Sequence, residues 1–302
     1  MEKAKITFLG TGSAIPTKHR NHPAVLLQYK DENILVDCGE GTQRQFRKAK
    51  LNPCKITRIL ITHWHGDHVL GLPGLLQTLM LNGYNKTLEI YGPSGTKKMM
   101  QLYLGLFTHK DKITIKVNEV ENKEIIDTNE FYIETKKMEH ETPSNAYAFV
   151  IKEKLRINKK KIEKLNIPRE ELRKISELQK GKDITIENKK IKAKDYTLKE
   201  EQRKVTFILD TKKNKNAITL AKNSDILICE STYSEEEEEL AEQHFHLTST
   251  DAAQIAKQAK VKRLILTHLS QRYDYNNKEI LQQAKKVFPK TEIVEDLDVI
   301  EF

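Results

Sequence analysis

Cysteine is scarce in this chain: Cys38, Cys54 and Cys229 are the only three in 302 residues. Odd in number and far apart, they can build neither a disulfide framework nor a CxxC zinc ribbon. No N-terminal stretch resembles a signal peptide, and no apolar run approaches the roughly 18 residues that cross a bilayer. A soluble protein of a reducing compartment, the cytoplasm, is expected. A surplus of one charge is also missing from most of the chain. The formal charge is +9, from 52 Lys and Arg against 43 Asp and Glu. Residues 152–204 alone hold 19 basic and 10 acidic residues, and the rest balances at 33 of each. A diffusely basic protein is thereby excluded, and a neutral body with one basic stretch remains, which suggests a polyanionic partner. Hydrophobic residues make up 38%, enough for a sizeable core, and the 31% charged residues are mixed in sign, which excludes a wholly disordered chain. The length fits one large domain or two ordinary ones.

What is present is a succession of short apolar runs that end in polar or glycine-rich turns. Lys5–Leu9 alternates and stops at Gly10-Thr11-Gly12-Ser13, while Ala24–Tyr29 and Asn33–Val36 flank a turn and predict a hairpin. Ile56–Ile61 is β-branched and stops at Thr62-His63. Leu88–Tyr91, Phe131–Thr135, Ala146–Ile151, Val205–Leu209, Asp225–Cys229 and Arg263–Leu266 read as further strands. Helical patterns mark Val69–Leu81, broken by Pro73, then Thr96–Leu104, with Ser94 a candidate cap, and Thr250–Gln258. The two strand-rich halves make an α/β chain, with helices outside two sheets.

Thr62-His63-Trp64-His65-Gly66-Asp67-His68 is the densest chemical signal. Three imidazoles and a carboxylate follow directly on a strand, and polar groups clustered there need partners or an ion. Imidazole and carboxylate without thiolate suit Zn²⁺, with Mn²⁺ or Fe²⁺ compatible by ligand type. His63, Asp210 and His268 each follow a buried-looking run, Glu230 ends another, and His140 lies between two predicted strands. Strand ends are rigid, and the loops beyond them can face one cleft.

A His-Xaa-His-Xaa-Asp-His run after a strand resembles the signature of the metallo-β-lactamase fold, which implies a four-layer αββα sandwich. With His140, Asp210-Thr211, Thr267–Tyr273, Phe8–Ser13 and Asp37–Gln43, the chain resembles the short form of the ribonuclease Z family, tRNA 3′-processing endonucleases. The sandwich would then comprise residues 1–151 and 205–302, with 152–204 an inserted basic arm. The resemblance implies two metal ions per subunit. His63, His65 and His140 would hold one; Asp67, His68 and His268 the other; Asp210 would bridge them, and Asp67 would orient or deprotonate the attacking water. His246 would give a proton to the leaving 3′-oxygen, held by Glu230, because a carboxylate raises an imidazole pKa and fixes its tautomer. Cys229, Ser231, Leu247 and Leu209 depart from the family's usual His, Ala, Ser and Gly. His244 reads as a surface residue or an arm contact.

The resemblance also implies that the loop Pro16–Asn21, through Lys18, Arg20 and Asn21, contacts nucleotides just beyond the cleavage site. The arm would grip the tRNA body across a homodimer, through Lys159, Lys160, Lys161, Arg169, Arg173, Lys174, Lys180 and Lys182. Tyr196 is its only aromatic residue, which favours phosphate contacts over stacking. Pro168 is expected at the first position of a helix, with Leu172–Gln179 helical. The acidic run Glu235–Glu239 reads as a solvated helix face, with cover of a dimer surface or repulsion of misplaced RNA as the alternatives. The expected activity is removal of 3′ trailers from precursor tRNA by two-metal hydrolysis that leaves a 3′-hydroxyl. A phosphodiesterase of the same fold acting on small or cyclic nucleotides would share the active-site residues, and only the basic stretch argues against it. A non-catalytic RNA-binding relative would have lost ligands, whereas every ligand position is filled.

Overall fold

A computed structural model describes residues 2–105 and 113–302. Two compact units are present, one of Thr128–Tyr132 with Val150–Arg203, the other of Glu2–Asp127, Ile133–Phe149 and Lys204–Phe302. The described strands are β1 (Lys5–Gly10), β2 (Ala24–Tyr29), β3 (Glu32–Val36), β4 (Arg58–Leu60), β5 (Thr87–Gly92), β6 (Thr114–Glu119), β7 (Glu124–Asp127), β8 (Phe131–Met138) and β9 (Ser144–Ile151). They continue as β10 (Lys154–Ile157), β11 (Ile184–Ile186), β12 (Lys189–Ile191), β13 (Thr197–Glu200), β14 (Arg203–Ile208), β15 (Ile226–Glu230), β16 (Leu264–Thr267), β17 (Thr291–Ile293) and β18 (Val299–Glu301).

The larger unit is the expected αββα sandwich. One sheet runs β18-β1-β2-β3-β4-β5-β6 and the other β17-β16-β15-β14-β9-β8-β7. The apolar runs explain the layering. β9 is buried at all eight positions, so it lies between covered faces rather than alternating toward water. Outside the first sheet, the helix Leu72–Leu81 buries Leu72, Leu75, Leu76 and Leu79, the i, i+3, i+4, i+7 stripe of a helix laid on a core. Pro73 falls in its first turn, where a missing N–H is harmless, so the break in periodicity precedes the proline. Outside the second sheet, the helix Ser249–Gln258 buries Ala252, Ala253, Ile255 and Ala256 and opens with a capping box between Thr248 and Asp251.

Several expected details differ. The run Ile56–Ile61 yields only the three-residue β4, and a 3₁₀ turn at Pro53–Lys55 stands just before the run. Ser94 is not the group that receives the amides opening the helix Thr96–Gly105. Glu119 Oε1, at the end of β6, accepts from Gly95 N at 3.1 Å and Lys97 N at 2.9 Å; an ionised carboxylate suits that position better than a hydroxyl. The acidic run is only partly a solvated face: Gln283 Nε2 donates to Glu236 at 2.6 Å, and the Tyr273 hydroxyl donates to Glu237.

The smaller unit holds most of the basic stretch and has an apolar centre of its own. Leu178, Ile184, Ile186, Ile191 and Ala193 are buried together, with Ile157, Ile162, Ile175 and Tyr196 packed against them. β10 pairs antiparallel with β13, and β11 with β12. Glu187 and Asn188, both at positive φ, make the tight turn of the second hairpin. Pro168 stands just before the 3₁₀ turn Arg169–Lys174 rather than inside a helix, and the α-helix begins only at Ile175. The cations Lys159, Lys160, Lys161, Arg169, Arg173, Lys174, Lys180 and Lys182 are all exposed.

Candidate metal centre

Parallel strands deliver the site. β3, β4 and β5 are parallel neighbours in one sheet, and β14, β15 and β16 in the other. Asp37 follows β3, Asp210 lies two residues past β14, Glu230 ends β15, and His268 follows β16. All converge where α/β sheets place ligands, outside the carboxyl ends of their strands. The His63–His68 loop is fixed from both sides. Asp37 accepts from Thr62 N and Thr62 Oγ1, each at 2.7 Å, while Asn145 N donates to Thr62 O at 2.9 Å and Tyr147 Oη to Ile61 O at 2.7 Å. A Cβ on Gly39 would lie 2.3 Å from Asp67 O, so only glycine lets this loop approach β3 so closely.

Two groups of ligand atoms meet at Asp210. His63, His65, His140 and Asp210 form one, and Asp67, His68, Asp210 and His268 the other. In the first, His140 Nε2 lies 3.2 Å from His65 Nδ1, and Asp210 Oδ2 is 3.5 Å from His63 Nε2 and 4.0 Å from His140 Nε2. In the second, His68 Nε2 is 3.3 Å from Asp67 Oδ2, 3.4 Å from Asp210 Oδ2 and 3.2 Å from His268 Nε2. Asp210 Oδ1 is 3.1 Å from His268 Nε2. Ligands held about 2.0–2.1 Å from one Zn²⁺ stand about 3.3 Å apart in a tetrahedron, so the residues present fit such an ion. Two buried atoms make the same point: His63 Nε2 and Asp210 Oδ1 have no hydrogen-bond partner, an arrangement that costs stability unless a cation answers it.

The remaining ring nitrogens are aligned by neighbours. His140 Nδ1 lies 3.1 Å from Phe245 O, which leaves Nε2 for the centre. His68 Nδ1 is 2.7 Å from the buried Asp37, a carboxylate–imidazole pair of the kind that orients metal ligands. Thr232 Oγ1 donates to Glu230 Oε2 at 2.6 Å and sits 2.9 Å from His268 Nδ1. With its proton on Glu230, the hydroxyl is left to accept from His268 Nδ1. Asp37 and Thr232 were assigned no role from the sequence. Asp37 had a readable signal, a polar residue immediately after a buried run, as at Asp210; Thr232 had none.

Charge tunes each group. Burial, reinforced by the neighbouring His68, pushes His63 well below the usual imidazole range, and burial also lowers His140. Both are neutral imidazoles as they stand. Burial also opposes charge on His68, but Asp210, Asp67 and Asp37 together hold its pKa well above normal, so a cation must displace a proton there. Burial likewise opposes ionisation of Asp67, yet His68 and the hydrogen bonds from His268 and His68 keep it a carboxylate. Beside the two groups, His246 Nδ1 lies 3.0 Å from Glu230 Oε2, and its Nε2 is 4.0 Å from Asp210 Oδ2. His244 is exposed, its ring nearly parallel to that of Tyr233 at 6.4 Å.

The loop Pro16–Asn21 departs from expectation at one residue. Arg20 does not face solvent: it is 4% exposed, and its Nη1 donates to Thr11 Oγ1 at 2.7 Å and to Val294 O at 2.8 Å. Burial lowers its pKa, and four carboxylates, Glu295, Asp296, Asp274 and Asp298, work against that effect. Asn21 is half-buried and donates through Nδ2 to Glu40 O at 2.7 Å. Lys18 and His19 are the exposed members. Arg20 therefore shapes the loop, and Lys18 is left as its exposed cation.

Residues 4–167 match the family model described as anti-Pycsar protein Apyc1, and residues 172–269 match the beta-lactamase superfamily domain. A metallo-beta-lactamase fold protein from Bacillus subtilis, YhfI, shares the fold at a TM-score of 0.73 and 20% identity over all of both chains. Human tRNase Z, short form, superposes with a TM-score of 0.70 and 28% identity, covering 98% of each chain. Ribonuclease Z of Enterococcus faecalis is 39% identical over 98% of this chain and 97% of its own. Ribonuclease Z of Methanococcus maripaludis is 41% identical over 90% of each. Identity of that order across nearly the whole length, on top of the shared fold, places the chain in the ribonuclease Z family.

Proposed function

We propose that this protein is a metal-dependent endoribonuclease that removes 3′ trailers from precursor tRNA and leaves a 3′-hydroxyl on the retained tRNA. The observation that carries this reading is the pair of four-residue groups sharing Asp210, flanked by the Glu230–His246 pair. His63, His65 and His140 would hold one divalent cation, Asp67, His68 and His268 a second, with Asp210 common to both. By donor chemistry the ions are Zn²⁺, with Mn²⁺ or Fe²⁺ accepted by the same set. Bound there, they supply Lewis acidity toward a phosphodiester and lower the pKa of a water.

The chain's own residues do the rest. Asp67, with its side chain 10% exposed, reaches the cleft as a carboxylate and accepts a hydrogen bond from the attacking water. His246, kept protonated beside Glu230, gives its proton to the departing 3′-oxygen. Glu230 is fully buried and also accepts from Thr211 N at 2.7 Å, which fixes its carboxylate against His246. Incubation of a precursor tRNA with the protein and Zn²⁺ or Mn²⁺, followed by end-mapping, is expected to give one cut and a 3′-hydroxyl. Absence of cleavage with every divalent metal would overturn the reading.

The exposed cations of residues 152–204 separate this reading from a phosphodiesterase of small or cyclic nucleotides, which has no use for them. We assign them to the phosphates of the tRNA body. Replacing Lys159, Lys160, Lys161, Arg169 and Arg173 by glutamine removes charge without touching the buried Leu178–Ala193 cluster. KM for precursor tRNA should rise, and the log–log dependence of binding on salt should flatten by about 0.7–0.9 for each phosphate that is no longer neutralised. Hydrolysis of a small chromogenic phosphodiester should stay at the wild-type rate. An unchanged salt slope would remove the arm from tRNA binding.

A further inference from the structure

A pocket of about 180 Å³ adjoins the proton donor and takes no part in the chemistry derived above. Its walls include Ile15, Thr232, Tyr233, Ser270, Gln271 and Arg272. The Tyr233 ring lies edge-on to the His246 ring, with centroids 5.9 Å apart. Thr232, beside it in sequence, is the residue that ties Glu230 to His268. The pocket therefore opens within one nucleotide of the bond to be cut. Its lining is mixed in a specific way. Tyr233 is half-buried and carries the Arg272 guanidinium 5.8 Å from its ring centroid; Arg272 is steadied by Glu237 at 3.5 Å. Ile15 is 53% exposed and offers an aliphatic surface. Ser270 and Gln271 supply hydrogen-bonding groups. An aromatic face and a guanidinium plane, with an aliphatic side chain and an amide at hand, are the complement of a single nucleobase.

The direction of the cut fixes which base. His246 protonates the 3′-oxygen of the last retained nucleotide, so the ribose beside His246 is that nucleotide's own. We propose that this pocket binds the base of the nucleotide immediately 5′ of the scissile phosphate, stacking it on Tyr233 beside Arg272. The inference rests on the nuclease reading and deepens it by naming a subsite. Stacking on one aromatic side chain is worth about a tenfold change in kcat/KM.

The test compares wild type, Tyr233→Ala and Tyr233→Phe on three precursor tRNAs: one complete, one abasic at the last retained nucleotide, and one abasic at the first trailer nucleotide. Tyr233→Ala should lose about tenfold on the complete substrate and on the trailer-abasic one, yet match wild type on the substrate lacking the retained base. Tyr233→Phe, which keeps the ring, should stay within about twofold of wild type throughout. Hydrolysis of a small chromogenic phosphodiester by Tyr233→Ala reports that the centre is intact. An equal loss on all three substrates, or no loss on any, overturns the subsite while leaving the nuclease reading in place. A wild-type protein that cuts no precursor tRNA overturns both.

Discussion

Asp210→Asn is expected to lower kcat for precursor tRNA by about 10³-fold or more and to strip divalent metal from the protein. One carboxylate faces five imidazoles here: His268 at 3.1 Å, His68 at 3.4 Å, His63 at 3.5 Å, and His140 and His246 at 4.0 Å. Burial opposes its ionisation, yet His268, His68 and His246 hold its pKa well below the usual carboxylate range. The amide matches the acid in size and also tolerates the backbone φ of 45° at this position, so the change reads charge rather than folding. Loss of a group that merely orients a ligand costs about 10–100-fold; a ligand shared by both groups must cost more. Cleavage rate and bound metal, the latter by plasma mass spectrometry, are measured on the same preparation. A variant with full metal and activity within about tenfold of wild type would show that the two groups do not form a shared centre.

His246→Ala should reduce kcat by about 10²–10⁴-fold with little change in KM, the signature of a missing proton donor. A substrate with sulfur in place of the bridging 3′-oxygen separates this role from a structural one. A thiolate leaves without being protonated, so the variant's defect should shrink to about tenfold or less on that substrate. An undiminished defect would assign His246 to positioning. The pH profile carries the same information. Burial works against a charged imidazole, but Glu230 and then Asp210 lift His246 to a pKa of about 9. His246 is therefore charged at neutral pH, and the rate it would support as the proposed donor falls as pH rises through that value. Glu230→Gln removes the larger of the two raising influences, so the alkaline limb of kcat should move to lower pH.

The parts of this site differ in how plainly the chain displays them. His63, His65, Asp67 and His68 announce themselves by density alone. His140 and Asp210 are ordinary residues in ordinary surroundings, and only their place in an ordered set of motifs singles them out. The sandwich is readable because its strands are short apolar runs that stop abruptly, and the stops are where the candidate ligands stand. Arg20 was not readable. A Lys-Xaa-Arg sequence in a loop predicts two exposed cations, and nothing nearby says that the second turns inward. Its surroundings come from Val294 and Asp296, more than 270 residues away, and local pattern carries no record of such a meeting. The same holds for Glu119, which displaces Ser94 at a helix start, and for Thr232, whose partners Glu230 and His268 are brought together by the pairing of β15 with β16. The apolar cluster inside the basic stretch was hidden differently, because its few aliphatic residues are dispersed among lysines.

Asp37, Asp210 and His268 all take the left-handed backbone conformation, at φ 57°, 45° and 58°. A residue other than glycine held there costs roughly 1–3 kcal/mol. Each occupies the first or second position past a strand, where the chain turns out of the sheet toward the site. Glycine would relax every one of these bends, and would delete a carboxylate or imidazole that the chemistry uses. Thermostabilisation of this enzyme therefore has three closed addresses. A selection for heat-resistant, active variants should accumulate changes in surface caps, loops and the lysine-rich unit, while positions 37, 210 and 268 stay fixed.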